Sequence, residues 1–356
     1  MRIGIITFHW GTNYGGVLQA FALQEYLKKM GHEVSIINYF PKSQSESFIR
    51  SVISKSLRNS FNNAKTFFKE KRFVPFRVEN LTLTRRYYSL EDLQKHPPEM
   101  DVYISGSDQV WNPYILDTYG IPYYLGFGDQ TVKRISYAVS LGCIDYPKEK
   151  MDLIRSFLKD FDALSVRENT GITILQHVDV KEVALMPDPT LLLGEADLAK
   201  FIRPLQKKVG AFAFFYILQE DQNCINDIYK FVTGKLRLHV VNTKHFKHAT
   251  MSIEEWLSNI ANSMFVVTNS FHGVVFSLLL KRNFLVVPVE GRHAGMNDRI
   301  ETLLTKFGLE DKIVREYNEA NLVRQLNIAI DWVKIGRIND ELKSLAHAFF
   351  KKNLSE

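Results

Sequence analysis

Hydrophobic positions along the chain fall into short apolar runs separated by helical stretches, and that alternation predicts the architecture. Ile3 to Thr7 reads as a first strand. Val17 to Met30 has helical spacing (Leu18, Phe21, Ala22, Leu23, Tyr26, Leu27) that stops at Gly31. Val34 to Asn38 reads as a second strand, so strand, helix and strand predict a right-handed parallel crossover. Further apolar runs at 101–105, 135–139, 163–166 and 183–185 each end in small or polar residues. The carboxyl ends of parallel strands look like this where they line a ligand crevice.

After about residue 193 the pattern restarts. Ala211 to Leu218 reads as a buried aromatic strand. A helix over 221–233, a strand over 237–241, a helix over 252–261, a strand from Met264 to Thr268, a helix over 273–280 and a strand from Phe284 to Val289 follow. Two amphipathic helices, about 318–334 and 338–352, close the chain. The expected class is α/β, with two Rossmann-like domains facing a cleft that would hold the binding site. The expected boundaries are 1–192 and 193–356, with the terminal helices in the second domain.

Residues 48–77 depart from the alternation. Arg50, Lys55, Arg58, Lys65, Lys69, Lys71, Arg72 and Arg77 interleave with Phe48, Val52, Ile53, Leu57, Phe61, Phe67 and Phe68. Such a basic amphipathic stretch is a surface helix packed on its domain, or an interfacial helix against anionic lipid or a lipid-linked acceptor.

Composition narrows the class. Of 356 residues, 46% are hydrophobic and 24% charged, which suits a soluble protein with a real core. The formal charge of +6 favours anionic partners without choosing among phosphorylated metabolites, nucleotide sugars, a membrane surface and nucleic acid. Cys143 and Cys224 are far apart, which excludes a disulfide scaffold and offers no metal-ligand spacing. The amino-terminal apolar run is too short for a signal peptide, and no stretch reaches the roughly 18 apolar residues of a membrane span. A cytoplasmic location is expected, with peripheral contact at the inner face of the plasma membrane under the interfacial reading of 48–77. No nucleic-acid motif occurs.

Four constellations carry chemistry. Gly11-Thr12-Asn13-Tyr14-Gly15-Gly16 lies between the first strand and first helix, where backbone amides approach a ligand or merely turn the chain. Gly106-Ser107-Asp108-Gln109-Val110-Trp111-Asn112-Pro113 offers a hydroxyl, a carboxylate, two amides and an indole at one strand end. Sugar sites need such groups, although an Asx-type turn over a buried Trp111 would look the same. Thr268-Asn269-Ser270-Phe271-His272-Gly273 places His272 at a strand-to-helix switch, a position suited to proton transfer. Arg292 to Arg299 supplies two guanidinium forks for a carboxylate or phosphate, or a pair for Asp298 and Glu301.

Taken together, these motifs resemble the polysaccharide pyruvyl transferase family. The segments are 101–113, Ile135-Ser136-Tyr137-Ala138-Val139-Ser140-Leu141-Gly142, Ser165-Val166-Arg167-Glu168, Pro187-Asp188-Pro189-Thr190 and Asn269-Ser270-Phe271-His272-Gly273. They stand in the family's order. With the glycine loop and the Arg299-Ile300 pair they span about residues 3–310. The resemblance implies a GT-B-like fold and transfer of pyruvate from phosphoenolpyruvate to a sugar as a ketal. That sugar would belong to a capsule, exopolysaccharide or cell-wall polymer, or to its lipid-linked precursor. Phosphoenolpyruvate is then a co-substrate, and no cofactor or metal is expected.

Many members of that family carry an arginine two residues before the histidine. This chain has Ser270 there, so Arg167, Arg292 or Arg299 would have to supply the charge. The expected roles are acid/base for His272, with Asp108 orienting or activating the sugar. Asn269, Ser270 and Gly273 join the three arginines on the donor side. Asn13, Tyr14, Gly15, Gly16, Ser107, Gln109, Trp111 and Asn112 form the acceptor side. Two rivals stand beside this reading. One is a nucleotide-sugar glycosyltransferase of the same architecture, although the loop after Val241 offers no acidic residue for a ribose. The other is a non-catalytic saccharide-binding subunit of a polysaccharide assembly complex.

Overall fold

The structure is a computed structural model that describes residues 1–42, 57–180, 182–204, 210–219, 223–242, 251–290 and 297–355, with only the backbone given for 57–68. Arg292 and residues 48–56 of the basic stretch lie outside the described residues. The chain divides into one unit of Met1–Leu192 with Leu342–Glu356, and a second of Leu193–Glu341. The last residues therefore return to the first unit instead of remaining in the second, as the sequence had suggested.

In the first unit, five strands form one parallel sheet. They are β1 (Arg2–Ile6), β2 (Glu33–Tyr39), β3 (Leu83–Tyr87), β4 (Val102–Ser105) and β5 (Lys133–Ser136), in the order β3-β2-β1-β4-β5. A short parallel pair, β6 (Ser165–Val166) with β7 (Ala184–Leu185), continues it through bridges from Ile135 to Ala163 and from Val139 to Val166. The chain runs outward from β1 to β3, then restarts on the other side of β1 at β4. That reversal leaves a gap at the carboxyl ends of β1 and β4, the position at which open α/β sheets take ligands.

Among the described residues, the longer helices that follow these strands are α1 (Tyr14–Lys29), α2 (Leu57–Asn80), α3 (Lys148–Leu158) and α4 (Asn169–Gln176). Helix α1 starts at Tyr14 because the Asn13 side chain accepts from the amides of Gly15 and Gly16, so both glycines belong to its first turn and not to a loop. It ends at Gly31, whose φ of +91° a side chain would oppose. In the described part of α2, Phe73 and Phe76 are fully buried against Tyr14 and Phe21, while Val74 and Val78 are exposed. The apolar side chains named in the reading of the basic stretch, from Phe48 to Phe68, lie outside the described ones.

The second unit has a parallel sheet of β8 (Phe212–Tyr216), β9 (His239–Asn242), β10 (Phe265–Thr268) and β11 (Asn283–Val286), in the order β11-β10-β8-β9. Its longer described helices are α5 (Asn223–Lys230), α6 (Ile253–Asn262), α7 (Phe271–Leu279), α8 (Asn297–Phe307) and α9 (Glu319–Asn327). The last helix, α10 (Trp332–Asn353), follows a break at 328–331. The expected helix through 334 fails there because the Asp331 carboxylate accepts from the amides of Val333 and Lys334 and so starts a new helix.

Candidate functional site

At the reversal point of the first sheet, a hollow of about 210 Å³ is lined by Phe8, Trp10, Gly11, Asn13, Gly16, Asp108 and Tyr119. Its wall is aromatic. Phe8 meets Trp10 edge-on at 6.1 Å, Trp10 meets Tyr119 at 6.1 Å, and Phe40 backs Trp10 at 5.3 Å. Its polar groups are the Asp108 carboxylate and the Asn13 amide. Flat aromatic faces beside a carboxylate suit a sugar ring, which has apolar C–H faces and a hydroxyl edge.

Asp108 is held in an uncommon backbone conformation. Its φ is +79°, in the left-handed region, which costs about 1–3 kcal/mol for a residue other than glycine. Several bonds fix it there. Its carbonyl accepts from the amides of Val110 (2.8 Å) and Ser140 (2.9 Å), and its Oδ1 accepts from the Gln109 amide at 2.8 Å. The other carboxylate oxygen points at the first turn of α1, where a Cβ on Gly16 would lie only 3.1 Å from it. Glycine at 16 is therefore what lets this carboxylate approach the amino end of α1.

Beneath the hollow the remaining motifs interlock in a buried polar network. Ser107 Oγ donates to Asp188 Oδ2 at 3.1 Å, and Arg167 is paired with the same oxygen. The amide of Thr190 donates to Asp188 Oδ1 at 2.9 Å. Glu168 Oε1 accepts from Ser140 Oγ and the Leu141 amide, at 2.9 and 2.8 Å. Burial by itself would lower the pKa of Arg167, but Asp188, Glu168 and Asp108 together hold it above its ordinary value. Arg167 is 5% exposed and bonded to Asp188 and Ser107. In this structure the guanidinium that was expected to bind the donor is engaged by Asp188 and Ser107.

Two of the expected acceptor residues are enclosed as well. Trp111 is fully buried, stacked on Tyr124 at 5.1 Å, with its indole N–H donated to the Tyr123 carbonyl. Tyr14 is buried against Phe73. Trp10 is the indole that reaches the hollow, and sequence reasoning missed it together with Phe8 and Tyr119. Gln109 and Asn112 bond to each other at 3.3 Å beneath Gly142, whose φ is +64°. Ser107 is fully buried, and Gly15 lies in the first turn of α1.

The second unit builds its candidate site on the β10–α7 turn. Ser270 caps α7, its hydroxyl accepting from the Gly273 amide at 3.4 Å. Asn269 ties this turn to the end of β8, accepting from the Leu218 amide at 2.7 Å and donating to the Gln219 carbonyl at 2.9 Å. A Cβ on Gly273 would fall 2.3 Å from Thr268 Oγ1, so only glycine lets the helix sit this close to its strand. His272, 6% exposed, lies in the first helical turn with its ring edge-on to Phe271. Arg299 is 7% exposed in the first turn of α8.

Residues 13–291 match the family described as polysaccharide pyruvyl transferase. The chain belongs to the polysaccharide pyruvyl transferase family. No curated protein matches it. Among solved structures it is similar to a protein from Listeria monocytogenes described as a UDP-N-acetylglucosamine 2-epimerase. That match has 11% identity and a TM-score of 0.51, and covers 100% of this chain and 97% of the other. It is also similar to the UDP-GlcNAc 2-epimerase of Methanocaldococcus jannaschii, at 12% identity and a TM-score of 0.50 over 98% of this chain and 100% of that one. These likenesses show the fold, a GT-B-like α/β class with parallel sheets and carboxyl-terminal helices.

For a pyruvyl transferase family member, the order of motifs that carried the resemblance now has a physical account. The strand-end segments at 105–109, 140–142, 165–168 and 187–190 bond to one another, so each is constrained by the rest. Among the described residues no group of His, Cys, Asp and Glu is placed to hold a metal ion, and no helix is long and apolar enough to cross a membrane.

Proposed function

We propose that this protein transfers pyruvate from phosphoenolpyruvate to a saccharide, forming a ketal on a surface or extracellular polysaccharide or its precursor. The observation that carries this reading is the aromatic-walled hollow with the Asp108 carboxylate at its base, in a chain of this family. The hollow is smaller than the roughly 300–1,000 Å³ of a drug-sized ligand site, which suits one sugar ring.

The chemistry balances as follows. The methylene carbon of phosphoenolpyruvate takes a proton, and C2 becomes cation-like. One sugar hydroxyl adds at C2, phosphate leaves, and a second hydroxyl closes the ketal. The two hydroxyls release two protons, one replacing that taken up at the methylene carbon and one leaving with phosphate. Asp108 is assigned to orient the hydroxyls and accept a proton, and His272 to serve as acid and base. Arg299, with the Asn269–Ser270 turn, is assigned to the donor's anionic groups. A guanidinium fork matches the geometry of a carboxylate or phosphate, which suits this role.

The test is phosphate release from phosphoenolpyruvate across a panel of lipid-linked and nucleotide-linked sugars. Asp108→Asn is the informative variant, because asparagine tolerates the left-handed backbone. It should lower turnover by about 10²–10⁴ if Asp108 moves a proton, and wild-type turnover in this variant would remove Asp108 from that role.

One specific observation favours a second reading. Ser270 replaces an arginine common in the family, and Arg167 is committed to Asp188. A saccharide-binding subunit without transferase chemistry would bind sugars in the hollow and release no phosphate.

A further inference from the structure

Helix α2 belongs to the basic stretch that neither the donor nor the acceptor assignment uses, yet its last turns grip the wall of the hollow. Arg77 is 7% exposed. Its Nη1 donates to the carbonyl of Trp10 at 2.5 Å and reaches that of His9 at 3.5 Å, while its Nη2 is paired with Glu70 on the same helix. One turn earlier, Phe73 packs on Tyr14 at 4.9 Å between ring centres. The helix therefore holds the Trp10–Tyr14 segment at both ends. Between those ends lie Gly11, Thr12 and Asn13, and Gly11 meets nothing within 4 Å at the position of a Cβ. The Trp10 ring packs against Phe8, Phe40 and Tyr119, and Arg77 adds a hold on its backbone.

We propose that Arg77 is a positioning residue for saccharide binding, acting through the Trp10 carbonyl to keep the indole in the wall of the hollow. The inference rests on the reading of that hollow as the acceptor site. A guanidinium suits the task because one nitrogen can hold the loop while another stays anchored to a carboxylate. Lysine would keep the charge and lose the fork. The arrangement also gives Glu70 a role, since it fixes the orientation from which Arg77 reaches the loop.

The experiment uses the full chain carrying Trp332→Phe, so that Trp10 is the main indole outside the core, with acrylamide as the probe. Arg77→Met should increase quenching at least twofold, Arg77→Lys should fall between, and thermal unfolding should keep one transition. With whichever panel sugar supports phosphate release, Arg77→Met should raise KM for the sugar about tenfold, the loss of a charged hydrogen bond. Its kcat and KM for phosphoenolpyruvate should stay within about twofold. Unchanged quenching and sugar KM in folded Arg77→Met would overturn the proposal, as would equal losses in kcat and both KM values. If Arg77→Met does not fold, Glu70→Gln decides. It loosens Arg77 without removing it and should raise quenching measurably, and no change would overturn the proposal. A wild-type protein that releases no phosphate defeats the transferase reading, while the quenching comparison still decides the role of Arg77.

Discussion

His9 sits directly beside the hollow, 2% exposed, with Nδ1 at 3.1 Å from the Thr7 carbonyl and Nε2 at 3.2 Å from Asn38 Oδ1. Burial pushes its pKa from 6.5 down to about 4, with Arg77 and Arg86 adding to the effect against the two hydrogen bonds. The unfolded chain therefore takes up a proton on this ring near pH 6.5, and the folded protein does so only near pH 4. Stability is full above pH 6.5 and falls as pH drops toward 4, by about 3 kcal/mol from this group. Urea denaturation at pH 7 and pH 4.5 should show that loss, and His9→Gln should flatten it. A pH dependence identical in the variant would show that other groups carry it. The two tryptophans that follow strand ends explain why this site was only partly legible. Trp10 and Trp111 each stand a few residues past an apolar run, and sequence cannot say which ring turns inward. The choice is made by Tyr124 and the Tyr123 carbonyl, which come from a segment twelve residues beyond Trp111. Asp108 stood out as a carboxylate beside glycine and serine at a strand end, where an Asx-type turn would look the same.

Elements were easier to read than their edges. The central strands β1, β4, β8 and β10 are largely apolar and were recognised within a residue or two. Strand β3 was not foreseen, because Leu-Thr-Arg-Arg-Tyr at a sheet edge buries only Tyr87 and so lacks an apolar run. The carboxyl-terminal helix was foreseen as an element but given to the wrong unit, since amphipathic spacing shows that a face is buried and not against what. Phe350 decides it. Its ring stacks on Tyr137 at 4.5 Å and lies 5.8 Å from Tyr26, while Lys133 Nζ donates to the Asn353 carbonyl at 3.0 Å. Phe350→Ala should destabilise the first unit by about 3–5 kcal/mol. Calorimetry should show the lower-melting transition shift or separate. An unchanged thermogram would mean that the helix contributes little to that unit.

At the scale of the whole molecule, each unit holds part of the set of residues in the proposed function. The first carries an aromatic hollow with a strained carboxylate above a sealed polar network. The second carries a histidine and an arginine in the first turns of two helices, with a glycine-dependent close packing behind the histidine. The sequence showed both sets because strand-end residues of parallel sheets stand out against apolar strands. It could not say how Arg167 is engaged, because a buried ion pair and a ligand anchor use the same residue types. The measurement that tests the account most directly follows phosphoenolpyruvate labelled with carbon-13 at C2, incubated with the protein and the sugar panel, by NMR. The account predicts that the label moves from an enol carbon to a ketal carbon attached to one of the sugars, with phosphate released in equal amount, and that His272→Ala slows this by about 10²–10⁴ with the fold intact. Label that stays in phosphoenolpyruvate with every sugar, in a folded protein that binds saccharide, would contradict it.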